Sequence, residues 1–431
     1  MILIIRCDII KQKKEGLKMN NYELLKKMSF ERLGGSKEEL ACANLLLDEL
    51  QTVGIKGELE SFQVDYSEVQ EVSFEVLEPY YKKYHVTAYK MSGNTKINGL
   101  EAPFLYVENG LDVNLKEAKD KIVLLNGAVG YKTYKKLVEA KALGFVALSG
   151  SIYDREDETD LEERQLRERH YKNGKIPGVS MRAKDVEELI LQKASKVRLK
   201  LTQNESTKDS HNVIATIDGS TFSDEIICFT AHYDSVRFSK GSYDNATGSV
   251  IIMDLLKYFI KNKPLRTLKF IWCGSEEMGL LGSKAYTKKH EDELKNYLLC
   301  INVDMAGNTI GYEQAVSTAE IALVNYIDYL GKEIGFPIIS KQGVYPSDST
   351  PFANASVPAV SFARLCDRNG AQIHSRKDNI KHLDEETLNK TSQFVLEFAR
   401  RMVFSYVVPV SKEIPENMRK ELDIYLGVKE D

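Results

Sequence analysis

Two adjacent carboxylates, Glu276 and Glu277, follow the apolar run TLKFIWCG, which is typical of a buried strand. Neighbouring carboxylates at a buried strand end repel each other and lose hydration. A divalent cation beside them would relieve that cost, whereas side chains that point into solvent would need none. The pair therefore indicates either a cation site or an exposed strand end.

Further residues of metal-binding type lie at the ends of other predicted elements. Because ligands of open α/β sheets bind at the carboxyl ends of the strands, we expect these side chains to converge on one edge of the sheet. Each also has a structural explanation, as a hydrogen-bonding histidine, a helix N-cap or a turn residue. The residues in question are His232, Asp234, Asp244, Asp304 and His374.

Nitrogen and oxygen ligands without cysteine suit zinc or a similar first-row metal. The candidates are too many for one tetrahedral site, but they fit two sites if one carboxylate bridges them. Two ions roughly 3.5–4 Å apart can hold a water, lower its pKa and polarise a carbonyl group, and a remaining carboxylate can accept the proton. The sequence has no HExxH, phosphate-loop, GxGxxG or GxSxG motif that would favour other chemistry.

The elements that must position these residues alternate between strands and helices from His211 onward. Such alternation predicts an α/β fold, with a mostly parallel central sheet flanked by helices. The predicted strands are Asn212–Thr216, Glu225–Thr230, Leu268–Trp272, Tyr297–Val303 and Ala359–Ala363. The predicted helices are Gly248–Ile260, Leu280–Lys289, Thr318–Ile334 and Asp384–Phe404.

The first part of the chain has a different pattern. A helix is predicted from Asn20 to Gly54, and an alternating strand from Gly57 to Leu77. Short strand, helix and strand patterns at 121–125, 131–142 and 144–148 then form a small βαβ-like unit. The charged run 154–169 is expected to be a solvated loop or an exposed helix, without an assigned function.

We divide the chain into five segments. Residues 1–18 form an N-terminal extension, 19–78 a first part of the main domain, 79–205 a smaller inserted α/β domain, 206–405 the rest of the main domain, and 406–431 a C-terminal extension. Residues 11–18, KQKKEGLK, are compatible with a purine-rich ribosome-binding sequence upstream of Met19. Translation from Met19 and an ordinary extension at 1–18 both stay open.

The composition argues against several classes of protein. The 431 residues are 43% hydrophobic and 28% charged, with a net charge of −4, which speaks against a disordered chain and gives no overall attraction to nucleic acid or anionic lipid. No apolar run reaches the roughly 20 residues that span a bilayer. The six cysteines include no CxxC pair. We expect a cytoplasmic protein without nucleic-acid or membrane partners; its oligomeric state is not predicted.

The ordered motifs AHYDSV, YDNATGSV, GSEEMGLLGS, NVDMAG and QIHSRKDN resemble those of the co-catalytic zinc aminopeptidases, which include aminopeptidase Y and bacterial leucyl-type aminopeptidases. The resemblance extends to RLGGSKEELACANLLLDELQTVG and SHNVIATIDG, and so covers 19–78 and 206–405. KIVLLNG, YKKLVEAKALGFVAL and KIPGVSM are similar to the protease-associated domain inserted in such proteins.

The resemblance implies a metallo-exopeptidase that hydrolyses the N-terminal peptide bond of peptides by means of a water between two zinc ions. Cobalt or manganese would also suit such ligands. In this arrangement one ion would be bound by His232 and Asp304, the other by Glu277 and His374, and Asp244 would bridge the two.

Further roles follow from the same resemblance. Glu276 would be the general base, and Asp234 would orient the first ligand histidine. Some relatives carry a tyrosine near the last histidine that supports the oxyanion, but this sequence has Ile373 there. Tyr345 is a candidate substitute donor, and Asp348 in the same segment is either a support for the ligands or a turn residue.

Two other functions stay open. A carboxypeptidase or dipeptidase on the same scaffold would need a basic residue for the free carboxylate of its substrate, and Arg364 is the candidate. A non-catalytic binding protein like the transferrin-receptor ectodomain would be expected to have a degraded ligand set, whereas here no ligand position is missing.

Overall fold

A computed structural model describes residues 22–366 and 370–429. The predicted extension at 1–18 lies outside the described residues. The strands are β1 Glu58–Glu78, β2 Lys82–Tyr84, β3 Val86–Lys90, β4 Leu100–Tyr106, β5 Ile122–Leu125, β6 Gly144–Ser149, β7 Arg164–Gln165, β8 Gly178–Arg182, β9 Lys196–Ile217, β10 Phe222–His232, β11 Arg266–Cys273, β12 Tyr297–Val303, β13 Tyr312–Thr318, β14 Ile338–Gln342 and β15 Ala359–Leu365.

The helices lie between and around these strands. They are α1 Tyr22–Met28, α2 Lys37–Thr52, α3 Asp112–Leu115, α4 Tyr131–Glu139, α5 Glu168–Tyr171, α6 Ala183–Leu191, α7 Thr247–Lys261, α8 Leu281–Lys289, α9 Glu291–Leu294, α10 Ile321–Ile334, α11 Ser349–Asn354, α12 Glu385–Val403 and α13 Glu416–Leu426. A short π-helical turn, Ser242–Ala246, precedes α7, and a 3-10 turn, Ile380–His382, precedes α12.

The centre of the main sheet is parallel, as the sequence predicts. Strands β15, β12, β10 and β11 lie side by side in that order, and each neighbouring pair is parallel. Strands β9 and β13 flank them in the antiparallel direction. Because parallel strands end at the same edge, the segments that follow these four strands meet there.

The sheet is covered by apolar helix faces. Buried side chains of α7 and α12 pack with those of the strands in one large cluster, in which Phe229 stacks on Phe270 with ring centroids 4.7 Å apart. A second cluster joins β11 and β12 to α11 and α13, where Met418 and Leu422 are buried. The C-terminal helix therefore packs against the main sheet.

The long antiparallel pair β1 and β9 connects the main sheet to the middle segment, residues 79–205. Val213 and Ala215 of β9 belong to the main core, whereas Val197 and Leu199 of the same strand belong to a separate cluster with β5, β6 and β8. Strands β4, β5, β6 and β8 pair in parallel order. One uninterrupted strand thus contributes to both cores, and the five-segment division stays a prediction.

Several elements differ from the sequence prediction. The helix predicted from Asn20 to Gly54 is two helices, of which α2 begins after Ser36, whose side chain accepts a hydrogen bond from the Glu39 amide. Strands β13 and β14 were not predicted, and β13 takes Thr318, the expected first residue of a helix. The edge strand β14 has no fully buried residue. A strand with so little buried surface needs few apolar residues, and its sequence therefore gives only a weak strand signal.

No described helix is both long enough and apolar enough to cross a membrane. The five cysteines in the described part of the chain are all free thiols: Cys42, Cys228, Cys273, Cys300 and Cys366.

Candidate metal centre

The structure brings the five predicted metal ligands together at the carboxyl edge of the parallel strands. His232 ends β10, and Asp304 directly follows β12. Glu277 lies in the loop between β11 and α8, and His374 lies in the segment after β15. Asp244 lies in the π-helical turn before α7. His232 and Asp244 thus come from the end of β10 and the connection that follows it, whereas Glu277, Asp304 and His374 follow β11, β12 and β15.

Their ligand atoms form two groups that share one carboxylate. His232, Asp244 and Asp304 offer ligand atoms within 4.8 Å of one another, and so do Asp244, Glu277 and His374. The shared residue, Asp244, has Oδ1 3.1 Å from His232 Nε2 and Oδ2 3.2 Å from His374 Nε2. This is the arrangement that two cations with one bridging carboxylate require. We call these five residues the ligand cluster.

The ligand cluster concentrates charge in a place with little water. Partial burial disfavours protonation of His374, but Glu277 and Asp244 outweigh it and raise the pKa of His374 to about 11. Burial also opposes protonation of His232, yet Glu276 and the other carboxylates beside it raise its pKa. Burial and Asp244 raise the pKa of Glu277. A cation would satisfy the carboxylates directly and let both imidazoles stay neutral.

Several buried polar atoms of the ligand cluster have no hydrogen-bond partner, which shows whether a metal ion would fit there. His232 Nδ1, Glu277 Oε1 and Asp304 Oδ1 are buried without a hydrogen-bond partner. Buried polar atoms are nearly always paired, so oxygen atoms left free beside histidine nitrogens fit a metal ion. Imidazole and carboxylate ligands without a thiolate suit zinc.

Asp234 is completely buried beside the ligand cluster. Its Oδ1 lies 3.4 Å from His232 Nδ1. The same oxygen accepts a hydrogen bond, 3.0 Å long, from the Glu276 amide. Its Oδ2 accepts a second bond, 3.2 Å long, from the Glu277 amide. The carboxylate therefore fixes the loop that carries both glutamates, a contact that the sequence did not predict.

Glu276 is buried next to the ligand cluster rather than within its two groups of ligand atoms. Burial raises its pKa well above the usual value, and Glu277 adds to that rise although His232 opposes it. A carboxylate whose pKa is raised binds a proton more readily and is suited to accept one from a nearby group.

Two residues that position the cluster escaped the sequence analysis. Asp378 accepts hydrogen bonds from the amides of Tyr243 and Asp244, at 2.8 and 3.2 Å, and so fixes the turn of the shared carboxylate. Arg32 is fully buried and donates to the carbonyl oxygens of Tyr233 and Gly241, on the two loops that carry the first ligands. Asp378 stands in the motif QIHSRKDN, four residues after a ligand, and that spacing was the available signal.

The backbone near the ligands is strained at three positions. Ser275, Met305 and His374 have φ values of 51°, 71° and 57°, in the left-handed region that costs a non-glycine residue roughly 1–2 kcal/mol. Each of the three is a ligand or lies within two residues of one. Such clustering is typical of sites where function rather than stability fixes the backbone.

The candidate oxyanion donor lies close to the ligand cluster. The hydroxyl of buried Tyr345 donates to the Asp304 carbonyl oxygen at 3.4 Å. Ile373, by contrast, is 37% exposed. Asp348 is completely buried, and neither of its carboxylate oxygens has a hydrogen-bond partner of good geometry. Burial raises the pKa of Asp348 to about 7 although His232 opposes it.

Arg364, the residue considered for a substrate carboxylate, is engaged elsewhere. Its Nη1 lies 3.2 Å from Glu313 Oε1, and its Nε donates to the Asn308 carbonyl at 2.8 Å. A cavity of about 350 Å³ lies beside Glu277 and His374, and Arg364 does not line it. Residues of the middle segment also line this cavity, so that segment forms part of the same pocket.

Comparison with known proteins gives matches over most of the chain. Residues 212–399 match the sequence model of peptidase family M28. Aminopeptidase YwaD of Bacillus subtilis is 29% identical over 354 residues, which cover 78% of this chain and 74% of that protein. Human carboxypeptidase Q is 26% identical over 411 residues, which cover 89% of this chain and 83% of that protein.

Solved structures share the fold. A zinc aminopeptidase from Bacillus subtilis superposes with a TM-score of 0.75 at 23% identity, over 91% of this chain and 98% of that one. An aminopeptidase from Aneurinibacillus sp. superposes with a TM-score of 0.73 at 20% identity, over 92% and 97%. The ordered ligand motifs therefore agree with the match of residues 212–399 to peptidase family M28, and the solved structures share the fold.

Proposed function

We propose that this protein is a zinc-dependent aminopeptidase that hydrolyses the N-terminal peptide bond of peptides. The observation that carries the proposal is the pair of ligand groups that share Asp244. A relative supports the same reaction class, because the similar YwaD protein of Bacillus subtilis is an aminopeptidase.

The ligand cluster would hold two zinc ions. His232 and Asp304 would bind one ion, Glu277 and His374 the other, and the two oxygens of Asp244 would each face one of them. When bound, zinc lowers the pKa of a coordinated water and polarises the substrate carbonyl.

The chain itself supplies the proton transfers. Glu276 would accept a proton at its carboxylate from the attacking water and pass it to the leaving amine, as general acid–base catalysis requires. Asp234 holds the amides of residues 276 and 277, so the base and a ligand keep a fixed separation. The Tyr345 hydroxyl lies against the Asp304 backbone, where it would turn to stabilise the developing oxyanion.

Nitroanilide substrates test the reaction. Purified protein supplemented with zinc should hydrolyse leucine p-nitroanilide, and N-acetylation of that substrate should abolish turnover because an aminopeptidase needs a free amine. A chelator should abolish activity and zinc should restore it. Turnover that survives complete metal removal, or equal turnover of the acetylated substrate, would contradict the proposal.

A carboxypeptidase or dipeptidase is the second candidate, and two observations favour it. Human carboxypeptidase Q is similar over 89% of this chain, and the pocket beside the ligand cluster contains arginines of the middle segment. A peptide with a blocked amine and a free carboxylate separates the two reactions. Its hydrolysis would favour the carboxypeptidase.

A further inference from the structure

The charged run 154–169, for which the sequence predicts no function, reaches the pocket beside the ligand cluster. Arg167 and Arg169 line the same cavity of about 350 Å³ as Glu277 and His374. A molecule that fills this cavity would therefore lie between the candidate metal ligands and the two arginines.

Arg167 packs against the loop that carries Glu276 and Glu277. A Cβ placed on Gly279 would lie 3.1 Å from both Cδ and Nε of Arg167, so the arginine side chain lies across the backbone of that glycine. Lys284 approaches from the opposite end of the same loop, and its Nζ donates to the Gly279 carbonyl at 2.9 Å. The candidate base is thus followed directly by a segment flanked by two cations.

These cations have little compensation from carboxylates. Within the described part of the chain, neither Arg167 nor Arg169 forms an ion pair, and Arg169 Nε is buried without a partner. Burial, together with the charge of Arg167, lowers the pKa of Arg169. Burial and both arginines lower the pKa of Lys284, although Glu168 and Glu276 oppose that shift. Glu168 itself pairs with Lys172 at 2.7 Å. An anion in the pocket would relieve the repulsion.

Other charged residues around the cavity are neutralised in pairs. Arg164 pairs with Glu162 at 2.6 Å, and Glu163 pairs with both Lys90 at 2.5 Å and Arg237 at 3.2 Å. The positive charge of the pocket that no described carboxylate pairs with therefore comes from Arg167 and Arg169.

We propose that Arg167 and Arg169 bind a carboxylate of the peptide substrate, and that the enzyme therefore prefers short peptides in which a carboxylate lies close to the scissile bond. This proposal rests on the function proposed above. A guanidinium group matches a carboxylate with two parallel hydrogen bonds. The carboxylate has two sources of the same chemistry: the C-terminus of a dipeptide, or an acidic side chain after the scissile bond.

Three peptides distinguish the sources in the full-length, zinc-supplemented protein. Leu-Ala carries a C-terminal carboxylate, Leu-Asp-amide carries only an acidic side chain, and Leu-Ala-amide carries neither. We expect kcat/KM for at least one carboxylate peptide to exceed that for Leu-Ala-amide by roughly 10- to 100-fold, the range of a charge-assisted hydrogen bond. The favoured peptide identifies the source.

Variants then assign the effect to the arginines. Arg167→Gln should remove most of the preference, chiefly through KM, and Arg167→Lys should restore part of it because the charge returns without the fork geometry. Arg164→Gln is the matched control, since it lies in the same cavity but is already paired with Glu162, and it should keep the preference. Thermal unfolding confirms that each variant is folded.

Equal turnover of all three peptides by the wild-type protein, or an equal loss for all three in Arg167→Gln, would overturn the carboxylate site. A binding measurement separates this result from failure of the proposed function. Glu276→Gln should bind a dipeptide analogue with a reduced peptide bond more tightly than its amide, and Arg167→Gln should remove the difference. Selective binding without hydrolysis of any peptide would support the carboxylate site and refute the aminopeptidase. Absence of selective binding would overturn the site whatever the activity.

Discussion

Among the individual residues, carboxylates in different positions have different roles. Asp244 offers one oxygen to each histidine, Asp234 holds two backbone amides, and Glu276 is buried without a place in either ligand group. The side-chain types alone do not distinguish these roles. The hydrogen-bond partners and the distances between ligand atoms do.

Glu276→Gln separates the base from the ligands. The substitution keeps size and shape but cannot accept the proton, so we expect kcat to fall roughly 10²–10⁴-fold, the usual size of such effects. Bound zinc, measured by elemental analysis, should stay at the wild-type level. Glu277→Gln is the comparison variant, and it should lower the zinc content. The reverse pattern would mean that the roles of the two glutamates are exchanged.

Tyr345→Phe tests the oxyanion donor. Removal of one such donor typically costs roughly 10²–10³-fold in kcat, and here the ring stays in place to preserve packing. KM and thermal stability should change little, because the hydroxyl makes one long bond, 3.4 Å, to a backbone carbonyl. An unchanged kcat would exclude this tyrosine and leave the donor to be found elsewhere.

At the scale of the element, the loops hold the site in place. The His374 segment is tied to the middle segment by Arg376, whose Nε lies 2.7 Å from Asp160 Oδ2 and whose Nη1 donates to the Asp157 carbonyl at 3.0 Å. This contact joins Asp160 and Arg376, which lie 216 positions apart in the chain. The local sequence around either residue therefore does not reveal it. The middle segment thus steadies a candidate ligand as well as lining the pocket.

Arg376→Ala should impair catalysis more than stability. Arg376 is 46% exposed, and exposed ion pairs contribute about 0–1 kcal/mol, so the unfolding temperature should stay close to wild type. Release of the His374 segment should lower kcat/KM roughly tenfold or more, as small displacements of positioning groups do. Arg155→Ala is the control, because its ion pairs with Asp157 and Glu158 stay within the middle segment. Equal effects of the two variants would contradict this role.

The parallel sheet and most of its helices are predictable from the sequence, because strongly apolar strands alternate with amphipathic helices. Strand Tyr297–Val303 has the predicted bounds, and helix Thr247–Lys261 differs from the prediction by one residue at each end. The half-exposed edge strand Ile338–Gln342 was missed because its apolar signal is weak.

The candidate site was predictable to a similar degree. Strand-end position brought the five candidate ligands to one edge, because parallel strands share their carboxyl ends. Asp378, Arg32 and Arg167 were missed because their roles depend on contacts with backbone or loops far along the chain. The structure also argues against Arg364 as the group that binds a substrate carboxylate, because its guanidinium pairs with Glu313 and donates to a backbone carbonyl. Neither hydrogen bonds to a distant backbone nor ion pairs between distant side chains leave a pattern in the local sequence.

At the scale of the whole molecule, metal binding and folding should be linked. The ligand cluster brings carboxylates and histidines into contact within a mostly buried site, and a metal that binds only the native state stabilises it. Metal-free protein should therefore unfold at a lower temperature than zinc-loaded protein, with a difference of about 2.7 kcal/mol when free zinc is 100 times its dissociation constant. Calorimetry measures the shift, with magnesium as the control ion. An unfolding temperature that does not respond to zinc would contradict the linkage.

Two cations that share Asp244 should be detectable in the zinc content of the purified protein. Elemental analysis should give two zinc ions per wild-type chain and a marked loss of both in Asp244→Ala, because the substitution removes a ligand from each group. Parallel assays of leucine p-nitroanilide should show activity that rises with zinc content. A fully active protein that contains no metal, or an Asp244→Ala variant that keeps both ions, would contradict the account.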